Sequence, residues 1–543
     1  MLIEFHIIQD HGPSNMNRGR DAQPKTAFYA GTLRLRVSSQ CRKRTLRQPK
    51  PADGQVAQPG VFEQTVGTSH FGVRTRLLPE KVAERWREQH GDNAPFLEGI
   101  KSAVSGVAKK DGRQDDAKAD GRVRTPQAIY LELDREVERI VTVLNELHDK
   151  GELKLLADES QVFGEHLKNV AEQLEWQGKD PSKTIAWDSV KANWSTLVEA
   201  CESLDLPDRP EGFDPAVDPD ALVPTFELAS ALLRLLTAVD AENPKDGKKL
   251  RGALAPPRGA KPKAGSKVSL ADLLKRTVDR PISAADIALF GRMTTSDAFR
   301  DVEAACQVAD AISTHPVHID TDFFTAVDDL DTGSGAAHMG DSQFASAVFY
   351  QYLSVDYNAL LSNLGAAVPA GKEKDAALQA LAAEARTTAQ RAVEGLLRAI
   401  MLNVPSGKIN SHAHHQQPSL ILVEVKQTHA ATSYLTAFHE PARGGQREDG
   451  SVETLLTDSV RKLLAFARYR DEKMRIDGTR RFLFANDEAT EKTIKRLRAS
   501  LQDGPSTAPT DDGLFAESSL TECETFEELV SVINRAVAPG GTE

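Results

Sequence analysis

The run Leu2-Ile3-Glu4-Phe5-His6-Ile7-Ile8-Gln9, followed by His11-Gly12-Pro13-Ser14, sets the reading of the chain. β-Branched and aromatic side chains fill it, and a turn-prone tetrapeptide closes it, so a buried strand ends there. Glu4 and His6 interrupt the apolar residues, which suits a strand better than a signal sequence. Working outward, residues 31–37 alternate Leu33, Leu35 and Val37 with Thr32, Arg34 and Arg36. That period predicts a second strand with apolar side chains on one face and two arginines on the other. Ser38 or Ser39 then caps a short helix bearing Arg42, Lys43, Arg44 and Arg47. Near the far end, SLILVEVK at 419–426 reads as a strand, with helical patterns at about 373–402 before it and over Phe526–Val537 after it. Strands at both ends around a helical insertion predict an α+β core assembled from distant segments.

The middle is more loosely written. Pro/Gly-rich or mixed-charge stretches at 49–60, 108–124, 207–220 and 241–268 read as loops. Thr125 with Pro126 predicts a helix start, followed by the stripe Ile129, Leu133, Val137, Ile140, Leu144 and Leu147. Residues 51–280 therefore read as mostly helical. From 286 the texture changes: DIALFGRM is a compact apolar run, 301–312 reads as helical, and 315–340 is turn-rich.

Composition narrows the class. The 543 residues carry 67 Lys+Arg and 79 Asp+Glu, a formal net charge of −12, with 40% hydrophobic residues. This is ordinary for a soluble globular protein and leaves no room for collagenous, wholly disordered or disulfide-scaffold readings. Cys41, Cys201, Cys306 and Cys523 are far apart with no C-x-x-C pair, so neither a zinc ribbon nor a thioredoxin-like site has support. No apolar stretch approaches the ~18–20 residues of a membrane span. A reduced, cytoplasmic protein with no membrane partner is expected.

Against the acidic total, residues 18–50 hold ten basic side chains (Arg18, Arg20, Lys25, Arg34, Arg36, Arg42, Lys43, Arg44, Arg47 and Lys50) opposed only by Asp21. Such a concentration attracts phosphate by charge and counterion release. The bland alternative is a solvated basic face. Ser38-Ser39-Gln40 beside it supplies hydroxyls, an amide and helix-start N–H groups able to position phosphates. Met293, Phe323, Phe324 and Met339 stand on turn-rich segments where they are suited to stacking on bases, core packing being the alternative. Among the acids Asp320, Asp322, Asp328, Asp329 and Asp331, and the histidines His412, His414 and His415, a metal or acid–base site competes with plain solvated loops. No P-loop, G-x-S-x-G elbow or H-E-x-x-H helix is present. Catalysis has no sequence support.

Several blocks in order resemble one family, the CasC-type backbone subunit of type I-E CRISPR Cascade. They are His11-Gly12-Pro13-Ser14, Asn17-Arg18, Lys25, Phe28, Gly31 and RLRVSSQCRKR from Arg34 to Arg44; DIALFGRM; AISTHPV at 311–317; DFFTAVDDL at 322–330; AAHMGDSQFASAVFYQYLSVDYNALLSNLG from Ala336 to Gly365; Gly407-Lys408; and YLTAFHEPA at 434–442. Together they cover about half the chain.

The resemblance implies an RRM-like (ferredoxin-like) palm in parts at 1–50, 286–315 and 343–543, a helical fingers insertion at 51–285 and a thumb loop at 316–342. It implies copies polymerised along a guide crRNA, gripping its backbone without reading sequence and presenting bases to a DNA target strand. The other partners would be large, small, CasD-type and CasE-type subunits. It carries Arg18, Lys25, Ser38, Ser39, Gln40, Lys43, Arg44, Arg47 and Lys408 as RNA contacts. Met293 would be a wedge, and Phe323, Phe324 and Met339 would pack on bases. No metal or cofactor is implied. Departures are Gly19-Arg20 where the family has two acids, Arg42 where it has an apolar residue, and a longer stretch at 48–285. The rival reading is the metal-dependent endoribonuclease of type III backbones, for which Asp21 or Asp322 would serve.

Overall fold

The computed structural model describes residues 1–47, 59–91, 94–107, 122–149, 270–277, 281–294, 296–330, 336–367, 375–446, 450, 452–474, 478–502 and 520–538, with isolated positions between 190 and 235. Lys50, Cys201, Asp331 and the expected loops at 207–220 and 241–268 lie outside them. The chain divides into two units: Met1–Gly72, Pro281–Met293 and Asp301–Glu543 form the first, Val73–Arg280 and Thr294–Arg300 the second. The division falls at Gly72 rather than near residue 50 because Phe62, Val66 and Phe71 bury in the first unit's core.

The strands are β1 (Leu2–Ser14), β2 (Thr26–Tyr29), β3 (Thr32–Val37), β4 (Val73–Thr75), β5 (Ile129–Leu131), β6 (Cys306–Val308), β7 (Ala311–Ser313), β8 (Asp320–Val327), β9 (Ala336–Asp356), β10 (Leu420–Lys426), β11 (Gly445–Gln446), β12 (Val452–Glu453), β13 (Arg480–Ala485) and β14 (Leu520–Cys523). The first unit is a mixed α+β structure on one large sheet of order β14-β13-β10-β1-β9-β7-β3-β2, with β6 and β8 also pairing β9. β1 is central and antiparallel to both neighbours, running Leu2↔Lys426 to Ile8↔Leu420 on one side and Leu2↔Asp356 to Ser14↔Ala345 on the other.

Both faces of β1 are covered. Ile3, Phe5 and Ile7 pack with the helices Ala376–Leu402 and Phe526–Val537. Ile8 lies with Tyr350, Leu420 and Leu483 against the helices Leu455–Met474 and Glu488–Gln502. A strand buried on two sides reads as a near-continuous apolar run, which is why 2–9 and 419–426 were legible. Each such aliphatic or aromatic side chain contributes about 1.5–3 kcal/mol by burial. The polar interruptions form a buried row across four strands, Ser354, Glu4, Glu424 and Arg481. Lys426 bonds Glu4 and lies 2.8 Å from Glu424, so the facing carboxylates share one cation.

Two expectations are corrected and a third is narrowed. Residues 301–312 hold strands β6 and β7 rather than a helix, because Cys306 and Val308 alternate with exposed Gln307 along β9, and Ala311–Ser313 is buried between β9 and β3. The turn-rich 315–340 holds β8 and the start of β9, paired as a two-stranded ribbon. β3 keeps Arg34 and Arg36 on the face opposite Leu33, Leu35 and Val37, but that arginine face is not a free cationic surface, since Arg34 is fully buried while Leu33 is exposed. Arg34 donates to the carbonyls of Ser313 and Phe438 at 3.1 Å each, which satisfies a guanidinium that water cannot reach.

In the second unit, the helices Leu78–His90, Ala94–Gly106 and Leu133–Asp149 bury Val82, Trp86, Ile100, Ile140 and Leu144 together. The expected helix begins at Leu133, not after Thr125. Ile129-Tyr130-Leu131 is β-prone and pairs with Val73–Thr75. Thr125 is buried, and its hydroxyl donates to the Gln127 carbonyl at 2.7 Å.

Candidate nucleic-acid interface

Four segments converge where β1 ends. β1 changes register between His11 and Ser14, and Asn15 follows, buried. Its amide Nδ2 donates to the carbonyl of Ala22 at 3.0 Å and to that of Gln343 at 2.8 Å, tying the loop 17–25 to the base of the β8–β9 ribbon. The Asn17 carbonyl accepts the Lys25 N–H at 2.9 Å. Its side-chain Oδ1 accepts the Ser38 N–H at 2.9 Å, which joins that loop to the start of the helix Ser39–Arg47. From the other side Gly407 lies so close to Met16 that a Cβ would stand 2.2 Å from its carbonyl oxygen. Lys408 Nζ then reaches Ser342 Oγ at 2.5 Å.

Backbone strain gathers on the same segments. Among the described residues the non-glycine positions with positive φ are Ala22, Ala30, Lys408 and Ala413. Ala22 and Ala30 sit in and beside the loop and hairpin of 17–37; Lys408 and Ala413 flank the one-turn helix Ile409–His412, directly after Gly407, which lies against Met16. Each such residue costs of order 1–3 kcal/mol, and such costs collect at ligand clamps.

The basic residues divide into two sets. Arg18, Arg20, Gln40 and Arg44 are exposed; Lys25, Ser39 and Lys43 are half-buried. Arg18, Arg20, Lys25 and Lys43 make no ion pair among the described residues. The other arginines turn inward. Arg42 is buried and donates to the carbonyls of Ala309 and Tyr352, burial drawing its pKa down to about 10. Arg36 Nε pairs with Asp310 at 2.7 Å, and Arg47 Nε with Asp286 at 2.7 Å. Ser38 is buried, and the Ser39 N–H is held by Asp310 at 2.6 Å. The expected helix-start anion site is thus already met by a carboxylate of the chain.

The ribbon projects large apolar side chains. Phe323 and Met339 are 62% and 61% exposed, and Val327 is exposed beside them. The register Phe323↔Asp341 and Thr325↔Met339 sets Phe323 and Met339 on one face as diagonal neighbours. Phe324 turns to the other face and lies over Gly340, where a Cβ would stand 2.8 Å from its Cζ. Neither of the adjacent phenylalanines is buried, so core packing does not account for them. From 317 to 343 the sequence has six aspartates and no Lys or Arg. Such a ribbon repels phosphate but leaves apolar faces open to bases. Met293 is 93% exposed, three residues beyond the helix Ala285–Phe290.

The structure thus brings Arg18, Lys25, Ser39, Gln40, Lys43, Arg44 and Lys408 to segments that share one end of β1. Phe323, Phe324 and Met339 reach it through the ribbon base. Met293 lies three residues beyond the helix that carries Asp286, the partner of Arg47, and makes no contact with the basic residues among the described interactions. Sequence reasoning missed Asn15 and Asp310 and gave no role to Asn17 or Ser342. Two asparagines flanking Met16 directly after a turn were the available signal for Asn15 and Asn17. His415 is exposed and His412 half-buried, its ring 6.0 Å from that of Phe344; His414 is buried and its Nε2 donates to the Pro405 carbonyl at 2.7 Å. Burial holds His414 below the usual imidazole range and His11 down at about 3. Among the described residues no group of three or more His, Cys, Asp or Glu is placed to hold a metal ion, and no helix is long and apolar enough to cross a membrane.

A family model described as CT1975-like protein matches residues 3–190 and 222–504. The chain belongs to that family. A solved structure described as a CRISPR RNA-guided surveillance complex, pre-nicking, holds a chain 21% identical to this CT1975-like protein, with 99% of this chain and 100% of that one covered and a TM-score of 0.57. A second, described as a CRISPR RNA-guided surveillance complex, is 19% identical over 99% and 100%, with a TM-score of 0.48. At that identity the first likeness establishes a shared fold. No curated protein matches.

Proposed function

We propose that this CT1975-like protein is a non-catalytic, guide-RNA-binding backbone subunit of a type I-E-like CRISPR surveillance complex. Copies line the crRNA, hold its phosphates without sequence preference and leave bases free to pair with target DNA. The observation that carries this reading is the meeting of unpaired cations and strained backbone at one end of β1, beside a phosphate-repelling ribbon with open apolar faces. Cations seat the strand, the ribbon engages bases, and neither reads a base edge. Sequence recognition is left to base pairing.

The palm reading has its own support. β1, the helix Ser39–Arg47, β7, β9, the helix Ala376–Leu402 and β10 follow one another as βαββαβ. With other elements between them in the chain, they pair in the order β10-β1-β9-β7, all antiparallel, with β13 and β14 added at one edge, and that order favours an RRM-like palm. The reading also takes the fold shared with the surveillance-complex chain as a pointer to other Cascade subunits as partners.

Co-expression with a guide RNA tests the proposal. The purified protein should carry RNA and appear by electron microscopy as regularly repeated copies along it. Protein free of nucleic acid, or RNA cut at regular intervals on adding Mg²⁺, would contradict it.

A further inference from the structure

Arg47 stands last among the described residues of the basic run, yet its guanidinium faces the protein. Nε donates to Asp286 Oδ2 at 2.7 Å, Nη2 donates to the Gly72 carbonyl, and the group lies over the Phe71 ring, 4.7 Å from its centroid. Asp286 is fully buried, and its Oδ1 accepts the N–H of Gly72 at 2.7 Å and of Ile287 at 3.0 Å. Guanidinium, carboxylate and the Gly72 backbone therefore close a ring of hydrogen bonds. The ring joins the last turn of the helix Ser39–Arg47 to the first turn of the helix Ala285–Phe290. It also holds the residue after which the chain enters the second unit. One turn earlier Arg42 pins the same helix to the sheet, and Asn403 Nδ2 donates to the Thr45 carbonyl at 3.1 Å.

We propose that Arg47 is a positioning residue. With Arg42 it fixes the rotation of the helix so that Lys43 and Arg44, lying between the two pins, face outward. A planar, forked cation suits this task, because one group satisfies a carboxylate and a carbonyl at fixed angles. The Asp286 charge has no access to water, so losing its partner strands a buried carboxylate and lets the helix end shift. Helix rotation of a few tens of degrees would move two cations off the strand. The inference rests on the RNA-binding reading and reassigns one of its residues from grip to frame.

Arg47→Lys, Arg47→Ala and Asp286→Asn are compared with wild type, well below each variant's melting temperature, for binding of one labelled RNA across a salt series. Arg47→Lys and Asp286→Asn should each weaken binding by about tenfold. Their slopes of log affinity against log salt should flatten by up to about 1.4, the share of two displaced cations, and the double variant should be no worse than the poorer single one. Should Asp286→Asn fail to fold, Arg47→Lys carries the comparison alone, since it keeps the charge and loses only the fork. Two results overturn the role. A phosphate ligand would flatten the slope by about 0.7 in Arg47→Ala while Asp286→Asn bound as well as wild type. A merely structural residue would lower the melting temperature and leave the affinity of the folded protein unchanged. A wild type that binds no RNA overturns the binding reading and this role together; normal wild-type binding with either variant result overturns only the role.

Discussion

Lys43 and Arg44 follow a buried arginine directly, and helical geometry alone separates their fates. Arg42 turns to the sheet while its two successors reach the surface, the half-buried lysine and the exposed arginine. Charge reversal at both, Lys43→Glu with Arg44→Glu, should abolish RNA retention and leave the melting temperature of the RNA-free protein within about 2 °C of wild type, since exposed substitutions rarely exceed ±0.5 kcal/mol. Calorimetry and the 260/280 absorbance ratio check the two halves. Gly407 makes the opposite case. Its Cβ position is filled by the Met16 carbonyl, backbone against backbone, so neither side yields cheaply. Gly407→Ala should cost about 1–3 kcal/mol by denaturant unfolding. Residue identity was legible here only in part: the basic run announced a charged face, but nothing local told Arg34 and Arg42 from Lys43. Their acceptors, Ser313, Phe438, Ala309 and Tyr352, lie hundreds of positions away.

At the scale of elements, β1 and the ribbon mark two extremes. β1 was legible because both its faces are apolar. Its buried row of polar groups was not, since Glu4 and His6 find their partners on strands far along the chain. His6 stacks on Tyr434 at 4.1 Å and bonds Tyr350, and burial lowers its pKa to about 4. The folded state refuses a proton that the unfolded chain accepts near pH 6.5. Stability is therefore full above about 6.5 and falls as pH drops toward about 4, by up to about 1.4 kcal/mol per unit. Glu424, held down at about 2 although burial alone would raise it, adds its own loss as pH falls from about 4.5 toward 2. Urea unfolding at pH 7 and pH 5 should show the decline, and His6→Gln should remove only the His6 share of it, because His11, held down at about 3 by burial, contributes a loss of the same sign. The ribbon was hidden in a turn-rich text, because Asp, Thr and Gly outnumber apolar residues and no core side specifies its register. Phe323→Ala, Phe324→Ala and Met339→Ala combined should leave the melting temperature nearly unchanged, as all three are exposed. RNA binding should weaken by about 1–3 kcal/mol for each base that loses its stack; a loss of stability instead would mark the ribbon as core.

For the whole molecule, a net charge of −12 surrounds one cationic face. On the proposed RNA-binding reading, the acidic ribbon and remainder would disfavour loose binding to bulk nucleic acid, while the face near β1's end would take a strand. The large sheet joins the first and last segments of the sequence, so the α+β class followed from strands recognised at both ends. The second unit was legible as helical, but the Gly72 boundary was not, because the helix Val61–Val66 looks in sequence like the start of the insertion and packs as part of the first core. The most direct measurement is the salt dependence of binding to two unrelated RNAs of guide length, for wild type and for Lys43→Glu/Arg44→Glu. A steep negative slope, equal for both sequences and flattened by about 0.7 for each lost contact, is the predicted result. A shallow slope, a preference for one sequence, or a variant slope equal to wild type would contradict a phosphate-gripping face.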